Sequence, residues 1–292
     1  MKAEIIYSTK MESLTKFKEY DIKTINEIKY VVPKYESNEK SNYERVNFDN
    51  YEDNDLPLID FLNLGKLSLD TPENSDKLLI DFVNKYGLLG LIHDLPINRY
   101  YTLDENVVLK EFNNLDKKYN DSIKTMKINE YFKVFFPTYS EEDIKNIINK
   151  SNEIITQDGV MEKYIVPALN DLYFKNENYF EPANMIISYA QTMYQALNEA
   201  RKNEHIDGSI INRIETNHIR ENLNYNHLTI YIRSLKDYID EDFKLYILAD
   251  KNYLKICKHC GKAFTAKNPK TEYDTFSCKN IENVHRSRAR KK

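Results

Sequence analysis

Three cysteines carry the clearest chemistry in this 292-residue chain, and all three fall in its last 36 residues: Cys257, Cys260 and Cys278. An odd number of thiols does not make a disulfide framework, and a Cys-x-x-Cys pair is the spacing that metals select. In Cys257-Lys258-His259-Cys260-Gly261-Lys262, two thiolates can grip one ion while backbone N–H groups point at the sulfurs. Gly261 supplies the tight turn that this requires. Phe264 is the natural apolar plug of so small a unit. A segment this short buries too little apolar surface to fold alone, so a bound ion would supply the missing stability.

A tetrahedral zinc needs a fourth ligand, and the candidates are Asp274, His285, His259 and an external group. If Cys278 opens a helix, His285 stands seven residues on, about 10 Å along the axis. Two ligands of one zinc sit only roughly 3.5–4 Å apart. His259 lies inside the knuckle, where intervening side chains point outward. Asp274, four residues before Cys278, is brought close by a loop-to-helix turn, and carboxylates do bind zinc. The expected set for one zinc ion is therefore Cys257, Cys260, Asp274 and Cys278, with His285 as second choice for the fourth position.

Charge is placed as unevenly as cysteine. From Lys251 to Lys292 there are 12 Lys and Arg against Glu272, Asp274 and Glu282, a balance of +9, whereas residues 1–250 hold 30 bases and 43 acids, a balance of −13. An acidic body with a basic tail is expected of a regulator or a nucleic-acid-contacting protein. On a helical wheel Lys279, Asn283, Arg286 and Arg290 share one face, while Cys278, Ile281, Val284 and Arg288 turn the other way, toward the knuckle. Phosphates would be met by Lys279, Arg286, Arg288, Arg290, Lys291 and Lys292, and base edges by Asn283 with one arginine in a major groove. The plainer readings are a solvated terminus, or a basic arm docked on the acidic body or on a protein partner.

The tail resembles the C-terminal zinc elements of CGNR-type zinc-finger proteins and of related bacterial proteins with a helical body. The shared pattern is carried by Cys257, Cys260, Gly261, Lys262, Phe264, Tyr273, Cys278, Lys279, Asn280, Asn283, Val284, Ser287 and Arg288. Asp274 stands where that pattern has the third of four cysteines, and the letters CGNR do not occur. In the body only Phe82–Gly90 (FVNKYGLLG) looks similar. The resemblance implies a DNA-binding, transcription-regulatory role.

The elements that must carry this tail are mainly helical, with a small N-terminal β portion: an α+β body over 1–250 and a zinc-ribbon or zinc-finger-like unit over 251–292 that ends in a basic helix. AEIIY and EIKYVV near the N-terminus read as strands, and residues 33–57, crowded with Asn, Glu, Asp and Lys, as a polar loop. Thr71-Pro72 reads as a helix start, with Leu78, Leu79, Phe82, Val83 and Tyr86 on one face and Gly87 as the stop. Ser140 with Asp143 suggests a capping box before a stripe of Ile144, Ile147, Ile148 and Ile155. Pro182 opens a further helix through Ile186, Ala190, Met193 and Leu197. A fourth is expected over about His227–Ala249, although its start, HLTIYI, also suits a strand.

Chemistry in the body is harder to find. No GxGxxG, P-loop, HExxH or GxSxG occurs, and the six glycines are scattered. Glu204, His205 and Asp207 could form a loop metal site or an acid–base pair, but also suit a surface turn. His218 and Glu221 could share a helix face. No apolar run approaches the roughly 20 residues of a membrane span, and Met1–Ser13 lacks a signal-peptide core, so the expectation is a cytoplasmic, bacterial-type protein with no membrane partner. The leading expectation is a zinc protein that binds nucleic acid, DNA ahead of RNA, beneath a helical sensing body. The alternatives are an enzyme or toxin-like defence component with a purely structural zinc unit, and a protein-interaction adaptor. Oligomeric state is left open.

Overall fold

The structure, a computed structural model, describes residues 6–11, 14–34, 42–46, 57–96, 99–109, 124–157, 162–202, 220–224, 227–248 and 253–289. The N-terminal strands are β1 (Ile6–Met11), β2 (Leu14–Phe17), β3 (Tyr20–Ile25), β4 (Ile28–Pro33) and β5 (Tyr43–Val46). Then come α1 (Pro57–Asp70), α2 (Ser75–Tyr86), β6 (Asn106–Leu109), β7 (Lys124–Lys127), α3 (Ile128–Phe135), α4 (Glu141–Gln157) and α5 (Glu162–Phe174). The chain continues through β8 (Glu181–Pro182), α6 (Ala183–Lys202), β9 (Arg220–Asn224), β10 (His227–Ile232) and α7 (Leu235–Leu248). It ends in β11 (Leu254–Ile256), β12 (Ala263–Thr265) and α8 (Phe276–Ala289). Helix dominates and the sheets are small, which is the α+β class.

The sheets are built from distant pieces. β1 lies parallel to β10, which pairs antiparallel with β9. β3 and β4 form a hairpin through Asn26 and Glu27, both at positive φ, and β8 adds to β4. The remaining pairs, β2–β5, β6–β7 and β11–β12, are antiparallel. One expectation is corrected here and one open alternative is decided. The span 33–57 is not simply a polar loop, because Tyr43–Val46 pairs with β2 and Pro57 opens α1. The segment from His227 is not one helix: HLTIYI is strand β10, and the helix starts at Leu235. The β-branched Thr229, Ile230 and Ile232, with Tyr231, favour the extended form, and β1 supplies its partner edge.

Helix α1 crosses α6 at the centre. Gly65 is required there, since a Cβ would collide with the Ala190 carbonyl. Phe61, Leu62, Ile186, Ala190, Met193 and Leu197 fill the contact and are buried. The α2 stripe is buried through Leu79, Phe82, Val83 and Tyr86, and the Gly87 N–H closes the helix on the Val83 carbonyl at 2.7 Å. Its start differs from expectation. Pro72–Asn74 is a 3₁₀ turn, and the Thr71 hydroxyl donates back to the Leu67 carbonyl instead of capping forward. The capping box of α4 is present: the Ser140 N–H donates to the Asp143 carboxylate at 3.0 Å, and the Asp143 N–H to the Ser140 hydroxyl at 3.2 Å.

Candidate metal centre and its terminal helix

β11 leads into Cys257, and the chain reverses before β12. The Cys257 N–H donates to the Lys262 carbonyl at 2.8 Å and the Gly261 N–H to the Cys257 carbonyl at 2.9 Å. Gly261 adopts φ of +74°, the left-handed conformation that only glycine takes without strain. This turn is pressed onto the body. Asn63 of α1 pairs with both backbone groups of Ala263, accepting at 2.8 Å and donating at 3.1 Å. The Tyr194 hydroxyl of α6 donates to the Gly261 carbonyl at 2.7 Å. Leu254 and Ala263 are buried in the main core. Further on, the Lys258 N–H meets the Glu272 carbonyl at 3.0 Å, which lays the second limb of the loop beside the first.

That second limb delivers Asp274 and Cys278. Thr275 starts α8, its hydroxyl accepting from the Cys278 N–H at 3.2 Å. One ligand atom each from Cys257, Cys260, Asp274 and Cys278 then lies within 4.8 Å of every other. This is the one such group of His, Cys, Asp and Glu among the described residues. Ligand atoms of a tetrahedral site stand roughly 3.5–4 Å apart, so small side-chain rotations would close the cluster around an ion. His285, the second choice, is outside the group; its ring faces His259 at 6.2 Å between centroids.

The protonation chemistry fits a cation. Burial pushes the Cys260 thiol up to about 12, a backbone contact with Lys262 opposing and the neighbouring thiols and Asp274 adding to the rise. A hydrogen bond with Thr275 works to lower Cys278, but the Asp274 carboxylate beside it prevails and the thiol is raised. Burial works to raise Asp274, yet hydrogen bonds from all three thiols outweigh it and hold the carboxyl low. The neutral thiols thus hydrogen-bond to this carboxylate, and a divalent ion would displace their protons. Asp274 Oδ1 is buried with no hydrogen-bond partner among the described residues, the condition of an acceptor that a metal would satisfy.

Helix α8 has no buried residue. Only Cys278 and Glu282 are half-buried; every other position through Ala289 is exposed. Here the structure corrects the expected phase of the helix. Ile281 and Val284 do not pack on the knuckle but are 40% and 47% exposed. Cys278 fixes the rotation, and one turn on Glu282 faces the His259 ring at 3.8 Å. Arg286 bonds back to Glu282 at 3.3 Å and to the Tyr273 hydroxyl at 3.1 Å. Lys279, Asn283 and Arg288 are exposed, whereas Arg290, Lys291 and Lys292 lie outside the described residues.

The body holds a second concentration of charge that the sequence reading missed. Glu181 is fully buried; its carboxylate accepts from the N–H groups of Leu89, Gly90 and Leu91 at 2.9, 2.7 and 2.7 Å and from the Tyr179 hydroxyl at 2.6 Å. Lys236 donates to Asp240 at 2.8 Å, stands 3.5 Å from Asp94 and lies over the Tyr189 ring. Arg233 pairs with Asp237. Burial raises Asp94 to about 7, against the pull of Lys236. His93, 2% exposed, bonds Asn170 through Nε2 at 2.9 Å, and burial, with Arg233 next, drives it down to about 4. The legible signal was the i,i+4 spacing of Arg233/Asp237 and Lys236/Asp240 at a helix start. Lys236 and Arg233 are paired with these aspartates, and the cavity beside His93 has about 30 Å³ of free space, room for a water or two and not for a substrate. Glu204, His205, Asp207 and His218 lie outside the described residues. Among the described residues no helix is long and apolar enough to cross a membrane. No family model, curated protein or solved structure matches the chain.

Proposed function

We propose that the chain is a zinc-binding regulatory protein that contacts nucleic acid through α8. The observation that carries this reading is a basic helix, exposed along its length, whose first turn is anchored by a potential metal ligand. Cys278 joins the ion to the helix, so one zinc would set both the fold of the terminal unit and the direction in which Lys279 and Arg288 project. The β11–β12 hairpin with its Cys257–Cys260 turn then acts as a zinc-ribbon-like base, docked on α1 and α6. Three thiols and a carboxylate suit zinc better than magnesium or calcium, which prefer all-oxygen shells. The tail's resemblance to CGNR-type elements adds to this reading, with Asp274 in place of a cysteine. A cytoplasmic location accords with three free thiols.

Fluorescence anisotropy of labelled nucleic acid, titrated with the full zinc-loaded chain over a salt series, tests the proposal. Affinity should fall steeply with salt, and the double variant Lys279→Glu/Arg288→Glu should lose at least about tenfold in affinity with a shallower salt slope. An unchanged affinity and slope in that variant would place the contact elsewhere and remove α8 from the function.

A further inference from the structure

Contacts fix the rotation of α8, and the rotation decides what it presents. Cys278 and Glu282 turn inward, with His285 meeting the His259 ring; these are positions i, i+4 and i+7 of one stripe. The opposite stripe is Phe276, Asn280, Asn283, Val284 and Ser287, all exposed, with Phe276 at 76%. Between the two stripes run two flanks. Lys279 and Arg286 lie on one, Ile281 and Arg288 on the other. The helix therefore carries amides, a hydroxyl and methyl groups along its outermost line, with a cation on either side.

This is the arrangement a groove requires. Phosphates line both walls and base edges lie at the floor, so cations belong on the flanks and base-reading groups at the centre. Fourteen helical residues span about 21 Å. The major groove of B-form DNA is about 12 Å wide and admits such a helix. That of A-form RNA is deep and too narrow for it. The chemistry of the stripe selects further. Carboxamides pair bidentately with adenine N6 and N7, and aliphatic methyls pack on the thymine methyl, whereas guanine is read chiefly by Arg or Lys. Among the described residues the outward stripe holds two carboxamides, a valine and no cation.

Resting on the proposed nucleic-acid contact, we infer that α8 enters the major groove of duplex DNA. Asn280, Asn283, Val284 and Ser287 face the edges of A·T pairs, while Lys279 and Arg288 hold phosphates on opposite walls. Arg286, tied to Glu282 and Tyr273, buttresses the helix on its base.

Three labelled duplexes of about 20 base pairs distinguish the possibilities when titrated with the full zinc-loaded chain: alternating A·T DNA, alternating G·C DNA and an A·U RNA duplex. The A·T DNA should bind at least about tenfold tighter than the G·C DNA, with the RNA duplex weakest. Asn283 is exposed, so Asn283→Ala should not disturb folding, which circular dichroism checks. It should reduce the A·T preference to within about twofold and leave G·C affinity unchanged. Lys279→Ala should weaken both DNAs alike and reduce the salt slope by about one phosphate contact. Equal binding of all three duplexes would overturn the inference while leaving nucleic-acid binding intact, as would a preference for G·C or for RNA. Binding to none would overturn both.

Discussion

The body and the terminal unit gather their ionisable groups in different ways. In the body the charges gathered around Glu181 and Lys236 are held by protein groups. Glu181 receives three backbone N–H groups and a tyrosine hydroxyl. Lys236 has Asp94 and Asp240, and Arg233 has Asp237. In the terminal unit three thiols and a carboxylate converge with no cationic side chain among them, and one oxygen of Asp274 is buried without a partner among the described residues. Unpaired buried acceptors cost free energy. The charged clusters of the body are thus held by protein partners, although His93 Nδ1 and the Arg201 guanidinium are buried there without hydrogen-bond partners among the described residues, while the terminal unit gathers acceptors that an added cation would satisfy. Removing a buried partner should therefore unfold the first, and removing the ion should loosen the second alone.

The largest effect belongs to Glu181. Glu181→Ala leaves Leu89, Gly90, Leu91 and the Tyr179 hydroxyl without their shared acceptor. Urea unfolding should show a loss of about 4 kcal/mol, with or without zinc. A loss under about 1 kcal/mol would mean that water replaces the carboxylate and that the body is less closed than this contrast requires.

Next is a pH effect centred on His93. Its folded-state value of about 4 lies below the ordinary 6.5 because of burial. Between these values the unfolded chain binds more protons, so stability present above pH 6.5 is lost as pH falls toward 4. Asp94, raised to about 7, has the opposite sign, since its cost grows as pH rises from about 4 to 7. The stability difference between wild type and His93→Gln isolates the histidine and should shrink by roughly 3 kcal/mol from pH 6.5 to 4. A flat difference would mean that His93 takes up its proton as readily in the folded chain as in the unfolded one.

How legible this contrast was in the sequence depended on distance along the chain. Cys257, Cys260, Asp274 and Cys278 could be assembled on paper because 22 residues contain them all and spacing limits what a turn and a helix start can bring together. The stripe of α2, the Ser140–Asp143 box and the Pro182 helix are likewise local patterns. Hydrophobicity alone sets the rotation of α8 wrongly: it turns Ile281 and Val284 inward, whereas the place of Cys278 in the cluster and the Glu282–His259 contact decide the matter. Glu181 escaped notice because its backbone partners lie some 90 residues away, and a lone Glu before Pro182 gives no sign of burial. α1 is apolar on several faces and carries Gly65 in its interior, a residue that disfavours helix until Ala190 is seen against it. α5 contains Pro167, ordinarily a helix breaker. β1 and β10 pair across more than 200 residues, beyond any periodicity.

The terminal unit has its own ranking test. Asp274→Ala removes a member of the cluster, and His285→Ala removes a ring outside it. Competition with a chromophoric chelator should show zinc held about 100-fold more weakly in the first, roughly 3 kcal/mol, and within about twofold of wild type in the second. The reverse order would make His285 a ligand and require α8 to begin later than Phe276. Metal analysis of the wild type should give about one zinc per chain.

The smallest effect probes the seam between the two regions. Asn63 sits on α1, yet its carboxamide accepts from the Ala263 N–H and donates to the Ala263 carbonyl, as a neighbouring strand would do for β12. Asn63→Ala removes both bonds and should cost about 1–2 kcal/mol. If the regions are energetically separate, the loss will be local. Hydrogen exchange should quicken at Ala263–Thr265 and in the Cys257–Gly261 turn, while amides of α2 and α6 keep their protection and zinc content stays unchanged. If protection falls across α1 and α6 as well, body and terminal unit unfold as one cooperative block. The ion would then stabilise the whole chain by linkage, and a zinc-dependent signal at α8 would be felt throughout the helical body.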